Sequence, residues 1–167
     1  MGAKSAAMIG EMDEKDVEIL EILRKDSRTS MGQIGDSLKV SKATISRRIA
    51  KLEDERVIMN YSLEIDPSKL DIVKSLLCMQ VKGSSVSHVI EDLSKYEEVR
   101  HIYKAFGDHH LVCEVYTKSV EDLYEMIQSR ILKNQSVTRI EVDILVERLT
   151  VNETADLKLY RSMNPQR

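Results

Sequence analysis

The chain has 167 residues, of which 42% are hydrophobic and 32% charged, and its formal net charge at pH 7 is −3. These values are typical of one or two small globular domains, each able to bury its own core. They exclude a basic field over the whole molecule, so any surface for nucleic acid must be local. Two cysteines provide neither a disulfide scaffold nor a zinc set. The chain has no apolar run of membrane-spanning length and no signal-peptide core, which predicts a cytoplasmic protein without a membrane partner.

Two short helices are predicted after a flexible leader of residues 1–12. Asp13 is a good N-cap for the first helix, which runs to about Lys25. Ser30 and Gln33 form the capping-box pattern that begins a second helix. This second helix contains two glycines that weaken it by roughly 1 kcal/mol each relative to alanine. Packing against its neighbours must therefore hold it.

The most informative stretch is a third helix that begins at the N-cap Ser41. Its apolar residues fall at helical spacing and predict one buried stripe, made of Ala43, Ile45, Ile49 and Leu52. Basic residues, with no acidic one between Leu38 and Leu52, cover the other side. A capped, polar N-terminus with a basic face suits a DNA major groove and its phosphates. The alternative is an ordinary amphipathic helix, but two short helices before it favour a helix-turn-helix.

The helix-turn-helix interpretation assigns eight residues to double-stranded DNA. Those expected nearest the bases are Ser41, Lys42, Thr44, Ser46 and Arg47. Those expected nearer the phosphates are Arg48, Lys51 and Asn60. Arg48 has an alternative role, because it could brace the helix by pairing with Asp54 or Glu55.

A small hairpin, or wing, is predicted for residues 58–66, because β-forming side chains surround Asn60 there. Pro67 ends this segment, since proline cannot continue a strand ladder. The DNA-binding domain is therefore expected over residues 13–66 and a linker over residues 67–71.

The rest of the chain alternates between strands and helices. The predicted strands are residues 72–82, 99–106, 110–117 and 137–149, and the predicted helices are residues 85–96 and 119–132. The order βαββαβ is that of a ferredoxin-like domain, expected over residues 72–150 with both helices on one sheet face. The fold class is thus α+β, and residues 151–167 are expected to be a C-terminal tail.

The predicted sheet carries apolar residues on both faces. Leu77 and Cys113 lie on one side of their strands, whereas Leu76, Cys78 and Val112 lie on the other. A second apolar face implies a cover, and the simplest cover is the same sheet of another subunit. We therefore expect a homodimer, which also suits a reader of pseudo-palindromic operators.

At this point the chain resembles the Lrp/AsnC, or feast/famine, family of transcription regulators. The residues that carry the resemblance are Asp16, Ile19, Leu20, Leu23, Arg28, Ser41, Arg48, Leu52, Glu53, Ile58, Tyr61, Pro67, Gly107 and Asp108. The resemblance implies a winged helix-turn-helix joined to a βαββαβ domain for ligand sensing and dimerisation. It also implies further assembly, such as an octamer, with a small-molecule effector at the interfaces. Lys39 stands where the family usually has a turn glycine, and the turn is expected to form at a modest cost.

The sensing loop departs from the family pattern. Family members often read Thr/Ser-Gly-Asp-x-Asp, whereas this loop reads Phe106, Gly107, Asp108, His109, His110. These five residues are expected to line an effector pocket at an interface. His110 replaces an acid suited to an ammonium group, and Phe106 replaces a small hydroxyl residue. We therefore expect no effector, or one that is anionic or less polar than a free amino acid.

Three other interpretations are weighed against a regulator. Adjacent histidines on a strand point to opposite faces, so His109 and His110 are not expected to bind a metal with Asp108 or His101. An enzyme related to tetrapyrrole decarboxylases could use the same histidines, but the basic third helix argues against it, and no catalytic residue or cofactor is expected. An architectural DNA-packing protein is the third alternative. It differs from a regulator in its ratio of specific to random-sequence affinity.

Overall fold

The computed structural model describes residues 12–164, which form two compact units. The first unit combines residues 12–63 with residues 150–164, and the second comprises residues 64–149. The helices are α1 (Glu14–Lys25), α2 (Met31–Leu38), α3 (Lys42–Asp54), α4 (Val86–Leu93), α5 (Val120–Met126) and α6 (Ala155–Met163). The strands are β1 (Val73–Val81), β2 (Val99–Lys104), β3 (Leu111–Thr117) and β4 (Val137–Leu145). No helix within residues 12–164 has the length and apolar character needed to cross a membrane.

The first two helices begin at the predicted N-caps, and both starts are capping boxes, although the sequence predicts a box only for α2. The Asp13 carboxylate accepts a hydrogen bond from the Asp16 N–H at 3.0 Å, and the Asp13 N–H donates to the Asp16 carboxylate at 3.1 Å. Ser30 and Gln33 make the same reciprocal pair at the start of α2. Each box satisfies two backbone or side-chain groups that a helix N-terminus would otherwise leave open.

The turn between α2 and α3 requires two unusual backbone positions. Lys39 ends α2 in the left-handed region, with φ 56° and ψ 43°, so the predicted turn forms without the usual glycine. The Val40 N–H then donates to the Gly35 carbonyl at 2.9 Å. A Cβ at position 35 would lie only 2.6 Å from the Val40 carbonyl oxygen. Gly35 is thus needed because the turn passes directly over α2.

The core of the first unit joins the three N-terminal helices. Its buried members are Met12, Ile19, Ile34, Ile45, Ile49 and Leu52. The predicted stripe of α3 is correct except for Ala43, which is exposed beside Lys42 because the inward face begins at Ile45. Of the leader expected over residues 1–12, only Met12 lies within the described residues. It is buried rather than solvated.

The predicted wing hairpin is wrong. Residues 58–66 contain no strand, and Tyr61 is held near the end of α3 by its hydroxyl, which donates to Glu53 at 2.9 Å. Apolar residues alternate without a break from Met59 to Ile65, which is the pattern of one extended segment rather than two strands around a turn. The expected linker is partly ordered too, as the 3₁₀ turn Pro67–Leu70.

Residues 151–167 are expected to be a C-terminal tail, but Ala155–Met163 form helix α6. Leu157 is buried, and Tyr160 packs against the core of the first unit. This helix lacks a side-chain cap and has a mixed surface, so local signals for it are weak.

The second unit has the predicted ferredoxin-like topology. Its antiparallel sheet has the order β2-β3-β1-β4, with β1 and β3 in the centre. Side chains of β3, and those of β1 from Lys74 onward, alternate between buried and half-buried positions. The buried side packs against α4 and α5, and its centre comprises Leu77, Met79, Leu111, Cys113 and Val115.

Several element ends differ from the prediction. The last strand stops at Leu145 instead of residue 149, and α4 ends at Leu93 instead of residue 96. Helix α5 stops at Met126 and continues as the π-helical turn Ile127–Ile131. Such turns insert one residue into the helical repeat, which sequence periodicity does not indicate.

Candidate DNA interface and effector loop

The N-terminal half of α3 presents polar and basic side chains to solvent. Ser41 caps the helix by accepting from the Thr44 N–H at 3.1 Å, and the two hydroxyl oxygens lie 2.9 Å apart. Lys42, Ser46 and Arg47 are exposed. On the opposite side the helix is anchored by its buried isoleucines and leucine. The geometry therefore offers a basic, hydrogen-bonding surface on a rigidly packed helix.

Arg48 differs from its neighbours because its guanidinium points to α1. Its Nη1 lies 2.8 Å from an oxygen of Asp13 and 2.8 Å from Oδ1 of Asp16. The Asp16 side chain is only 4% exposed, so this is a largely buried pair. The bracing role is thus the one that the geometry supports, with different partners from the expected Asp54 and Glu55. Neither aspartate is expected from the sequence as a partner of Arg48: Asp13 is predicted only as a helix cap, and Asp16 is noted only among the residues of the family resemblance.

The same network shifts two ionisation equilibria. Burial by itself would raise the pKa of Asp13, but the Asp16 N–H and the Arg48 guanidinium outweigh it and hold that pKa below its usual value. The hydrogen bond to Asp16 raises the pKa of Arg48 against the opposing effect of burial. Both shifts favour the charged forms of Asp13 and Arg48.

The remaining predicted DNA residues lie at the C-terminal side of α3. Lys51 is exposed, and its Nζ lies 3.9 Å from Glu55 Oε1. Asn60 is exposed in the extended segment that follows. Both positions are compatible with phosphate contacts, although no hairpin presents Asn60.

The effector loop is fixed to the sheet by its last residue. The His110 backbone N–H donates to the Met79 carbonyl at 2.9 Å, and its carbonyl accepts from the Ala105 N–H at 3.0 Å. Its Nδ1 accepts from the Val81 N–H at 2.9 Å. His110 thus connects the start of β3 to the end of β1 by hydrogen bonds from both its backbone and its side chain.

The other loop residues have separate surroundings. His109 Nε2 lies 3.0 Å from Glu141 Oε2 on β4, and Arg139 holds the other oxygen of that carboxylate at 2.6 Å. Phe106 is fully exposed, Asp108 is exposed, and Gly107 has a φ of 132° that strongly favours glycine. Within one protomer these residues do not enclose an effector.

The three histidines of the enzyme alternative have different partners. His101 pairs with Glu114 at 3.4 Å, whereas His109 and His110 contact β4 and β1 respectively. Among residues 12–164, no three histidine, cysteine or acidic side chains are placed to hold one metal ion. The arrangement gives no support to a shared catalytic centre.

The sheet face opposite the helices has a charged cluster among half-buried apolar residues. Glu114 accepts from the Tyr116 hydroxyl at 2.7 Å and pairs with Lys74 at 3.1 Å. Burial would raise the pKa of Glu114, but these two contacts lower it. Leu76 and Val112 flank the cluster and are half-buried. This face therefore has its charges paired internally and its apolar side chains incompletely covered.

A groove of the second unit lies elsewhere, beside α4 and the π-helical turn. It encloses about 500 Å³ and is lined by Asp92 and Arg130, among others. Asp92 is already held by Lys95 at 2.9 Å and Asn134 at 3.1 Å. The Asp92 carboxylate of this groove is thus already paired with neighbouring side chains.

Two family descriptions match the chain, one for each unit. "Winged helix-turn-helix DNA-binding" matches residues 12–59, and "Lrp/AsnC ligand binding domain" matches residues 76–154. The HTH-type transcriptional regulator LrpA of Pyrococcus abyssi is 33% identical over 139 residues, which are 83% of this chain and 99% of that protein. LrpA1 of Halobacterium salinarum is 32% identical over 133 residues, or 78% and 93% of the two chains.

Solved structures show the same fold. AsnC of E. coli superposes with a TM-score of 0.76 at 21% identity, covering 85% of this chain and 97% of that one. LrpC of B. subtilis gives a TM-score of 0.74 at 23% identity, covering 85% and 99%. At such identities the likeness concerns the fold alone.

Proposed function

The chain belongs to the Lrp/AsnC family of transcriptional regulators, and from that premise we propose that it binds pseudo-palindromic double-stranded DNA as a homodimer through α3. It acts in the cytoplasm as a regulator rather than an enzyme, and its second unit serves sensing and assembly. One observation carries the proposal: basic and small polar side chains are exposed beside the capped N-terminus of α3, while the inner face of that helix is buried.

The proposed base contacts come from the first two turns of α3, because recognition helices read base edges near their N-termini. These residues are Ser41, Lys42, Thr44, Ser46 and Arg47. Lys51 and Asn60 are proposed to lie near phosphates. Arg48 is left out, because its guanidinium is held by two aspartates.

The Arg47→Ala variant tests base recognition. A duplex is first selected from a random pool with the unmodified protein, and affinities are then measured at one stated salt concentration. If Arg47 pairs with a guanine, its loss costs about 1–3 kcal/mol and relaxes the preference at one position. Lys158→Ala is a matched control, since Lys158 is an exposed basic residue outside α3. Unchanged binding by Arg47→Ala would refute the assigned face.

The Lys51→Ala variant tests phosphate contact in a different way. Loss of one phosphate contact weakens binding to every sequence alike and makes the dependence of log K on log salt shallower by roughly one unit. A change confined to one base position would contradict this role.

Homodimerisation is supported by the extended segment before the 3₁₀ turn. Met59, Leu63 and Ile65 are 86%, 78% and 57% exposed, and they alternate along a backbone that no strand within residues 12–164 pairs. An unpaired apolar strand is a template for pairing with another chain. The incompletely covered sheet face gives the second copy a further surface, and dimers are proposed to assemble further, for example into an octamer.

Light scattering of the full chain at micromolar concentration tests the assembly. We expect a dimer or a multiple of it, and Leu63→Lys should weaken the association. Tyr124→Lys is the matched control, because Tyr124 is 66% exposed on α5, away from the proposed surfaces. A monomeric unmodified protein would contradict the proposal.

The effector is proposed to be absent, or to be anionic or less polar than a free amino acid. One similar structure is the NMB0573/L-Met complex of Neisseria meningitidis, so an amino acid is the natural comparison. An ammonium group needs an anionic or carbonyl partner when it leaves water. Here His110 supplies an imidazole whose Nδ1 already accepts a hydrogen bond from the Val81 N–H.

A thermal-shift screen of the twenty amino acids tests this departure. No strong stabiliser is expected for the unmodified protein, whereas His110→Asp would restore the acid that family members often carry. A response of the unmodified chain to a common amino acid at micromolar concentration would refute the proposal.

A further inference from the structure

Helix α6 is an integral part of the first unit, although it follows the sensing unit in sequence. Its inward side places the buried Leu157 and the half-buried Tyr160 against the helix-turn-helix. The Tyr160 hydroxyl donates to the Met12 carbonyl at 3.3 Å. The match to the ligand-binding description ends at residue 154, immediately before this helix. Helix α6 thus packs as a fourth helix against a domain of three helices.

Arg161 makes the densest polar contact between α6 and α1. Its Nη1 and Nη2 lie 2.7 and 3.3 Å from the two carboxylate oxygens of Glu21. Its Nη2 also lies 2.7 Å from Glu14 Oε1, and its Nε lies 3.2 Å from Glu14 Oε2. A planar guanidinium that engages two carboxylates fixes direction as well as distance. Two turns of α1 are therefore held by one side chain.

A second arginine crosses between the same helices in the opposite sense. Arg24, in the last turn of α1, donates to the Glu153 carbonyl and to Asp156 Oδ2, both at 3.0 Å. Helix α1 is thus fastened to the start of α6 by its own C-terminal turn and to the end of α6 by Arg161. Because the contacts of Arg24 and Arg161 lie at opposite ends of α6, they restrict both the translation and the rotation of α1 relative to α6.

The position of α1 in turn determines that of the recognition helix. Asp13 and Asp16, at the start of α1, hold the Arg48 guanidinium of α3 at 2.8 Å. A largely buried charge cannot give up its partners cheaply, so α3 follows α1 rather than parting from it. Arg48 lies one residue from Arg47, which is proposed to read a base. Two sets of ion pairs, both on α1, therefore connect α6 to the helix that carries the DNA-facing surface.

We propose that α6 is a fourth helix of the DNA-binding unit and that Arg161 is a positioning residue for DNA recognition, acting on α3 through α1 and Arg48. This inference rests on the proposed binding of DNA by α3. Arg161 itself touches no DNA. Its loss should therefore affect the fit of α3 to base edges far more than the general attraction of basic residues to phosphate.

The test compares specific with random-sequence affinity for the full chain. In Arg161→Ala, affinity for the selected duplex should fall about fivefold or more, while affinity for random duplex stays almost unchanged. Partial unfolding would instead lower both affinities by the same factor. Arg161→Lys keeps the positive charge but loses the planar guanidinium. Its affinity for the selected duplex should lie between those of the unmodified protein and Arg161→Ala. Lys158→Ala, on an exposed part of the same helix, should match the unmodified protein.

Three results would overturn the inference. A specific affinity that Arg161→Ala leaves unchanged would show that α6 does not position α3, and equal losses for both duplexes would show a role in stability only. If Arg161→Ala does not fold, the same comparison is read from Arg161→Lys. Failure of the unmodified protein to prefer any duplex would refute the proposed function as well, and is thereby distinguished from failure of the inference alone.

Discussion

The backbone of α2 closely approaches the turn before α3, and Gly35→Ala perturbs this approach directly. The added Cβ would lie 2.6 Å from the Val40 carbonyl oxygen, 3.5 Å from the Lys42 nitrogen and 3.6 Å from the Ser41 carbonyl carbon. All three are backbone atoms, so the clash can be relieved only by moving the turn. Gly32 provides a matched control in the same helix, because its Cβ would meet nothing nearer than Ser30 Oγ at 3.9 Å.

The two substitutions share one energy term and differ in another. Replacing glycine by alanine in a helix contributes up to roughly 1 kcal/mol of stability at either position. At position 35 the overpacking costs about 1–3 kcal/mol in addition. The free energy of unfolding of Gly35→Ala should therefore be lower than that of Gly32→Ala by about 1–3 kcal/mol, and the helix term cancels in this difference.

Urea unfolding of the two full-length variants, followed by far-UV circular dichroism, measures this difference. Binding to the selected duplex provides a second measurement, since the turn that must move leads directly into Ser41 and the DNA-facing residues. We expect Gly35→Ala to bind more weakly and Gly32→Ala to bind as the unmodified protein does. If the two variants agree in stability within about 0.5 kcal/mol, the close approach does not constrain the domain.

Three further outcomes are expected, two from the ion pairs of Arg48 with Asp13 and Asp16 and one from the hydrogen bond between His110 and Val81. Arg48→Met should lower the free energy of unfolding by about 3 kcal/mol, because it leaves the buried Asp16 carboxylate without its partner, and a urea-measured loss under about 1 kcal/mol would contradict this. The folded-state pKa of Asp13 lies below its ordinary value, so the contribution of Asp13 to stability is complete above about pH 5 and is lost as pH falls through the folded pKa. The acid decline of the unfolding temperature should accordingly be shallower in Asp13→Asn, and an identical pH profile would oppose the argument. His110→Ala should lower the free energy of unfolding by about 1–3 kcal/mol, because it leaves the Val81 N–H unpaired. His110→Asn should lower it by less, because its amide oxygen can accept the same hydrogen bond. Equal losses of the two variants in thermal unfolding would argue against a structural role of this bond.

The helix starts could be predicted because their signals are local. Asp13 with Asp16, and Ser30 with Gln33, satisfy each other over three residues of chain, so the pattern and the contact coincide. The sheet order follows in the same way from alternation and from the small number of ways in which βαββαβ can pack. The left-handed Lys39 was also foreseeable, because the tight turn needs that conformation whichever residue occupies it.

Helix α6 could not be predicted from such local signals. Its apolar residues are few, and its partners are far away in sequence: the Tyr160 hydroxyl reaches the carbonyl of Met12, 148 residues earlier. The wing hairpin is predicted wrongly for the opposite reason, because there the local signals indicate strands that do not form. Residues 58–66 have the composition of strands, but strand formation needs a partner, and composition does not supply one.

The candidate site separates along the same line between local and distant contacts. The exposure of Lys42, Ser46 and Arg47 follows from helical periodicity, because the buried Ile45 and Ile49 dictate which directions remain open. The same periodicity puts Arg48 at the edge of the apolar stripe, where a long side chain can turn outward to phosphate or inward to an acid. Only the three-dimensional position of α1 decides between these, because the two aspartates lie 35 and 32 residues away. A residue at the border of a buried stripe thus takes its role from the partner that packing provides, and in this chain packing provides two carboxylates before any DNA arrives.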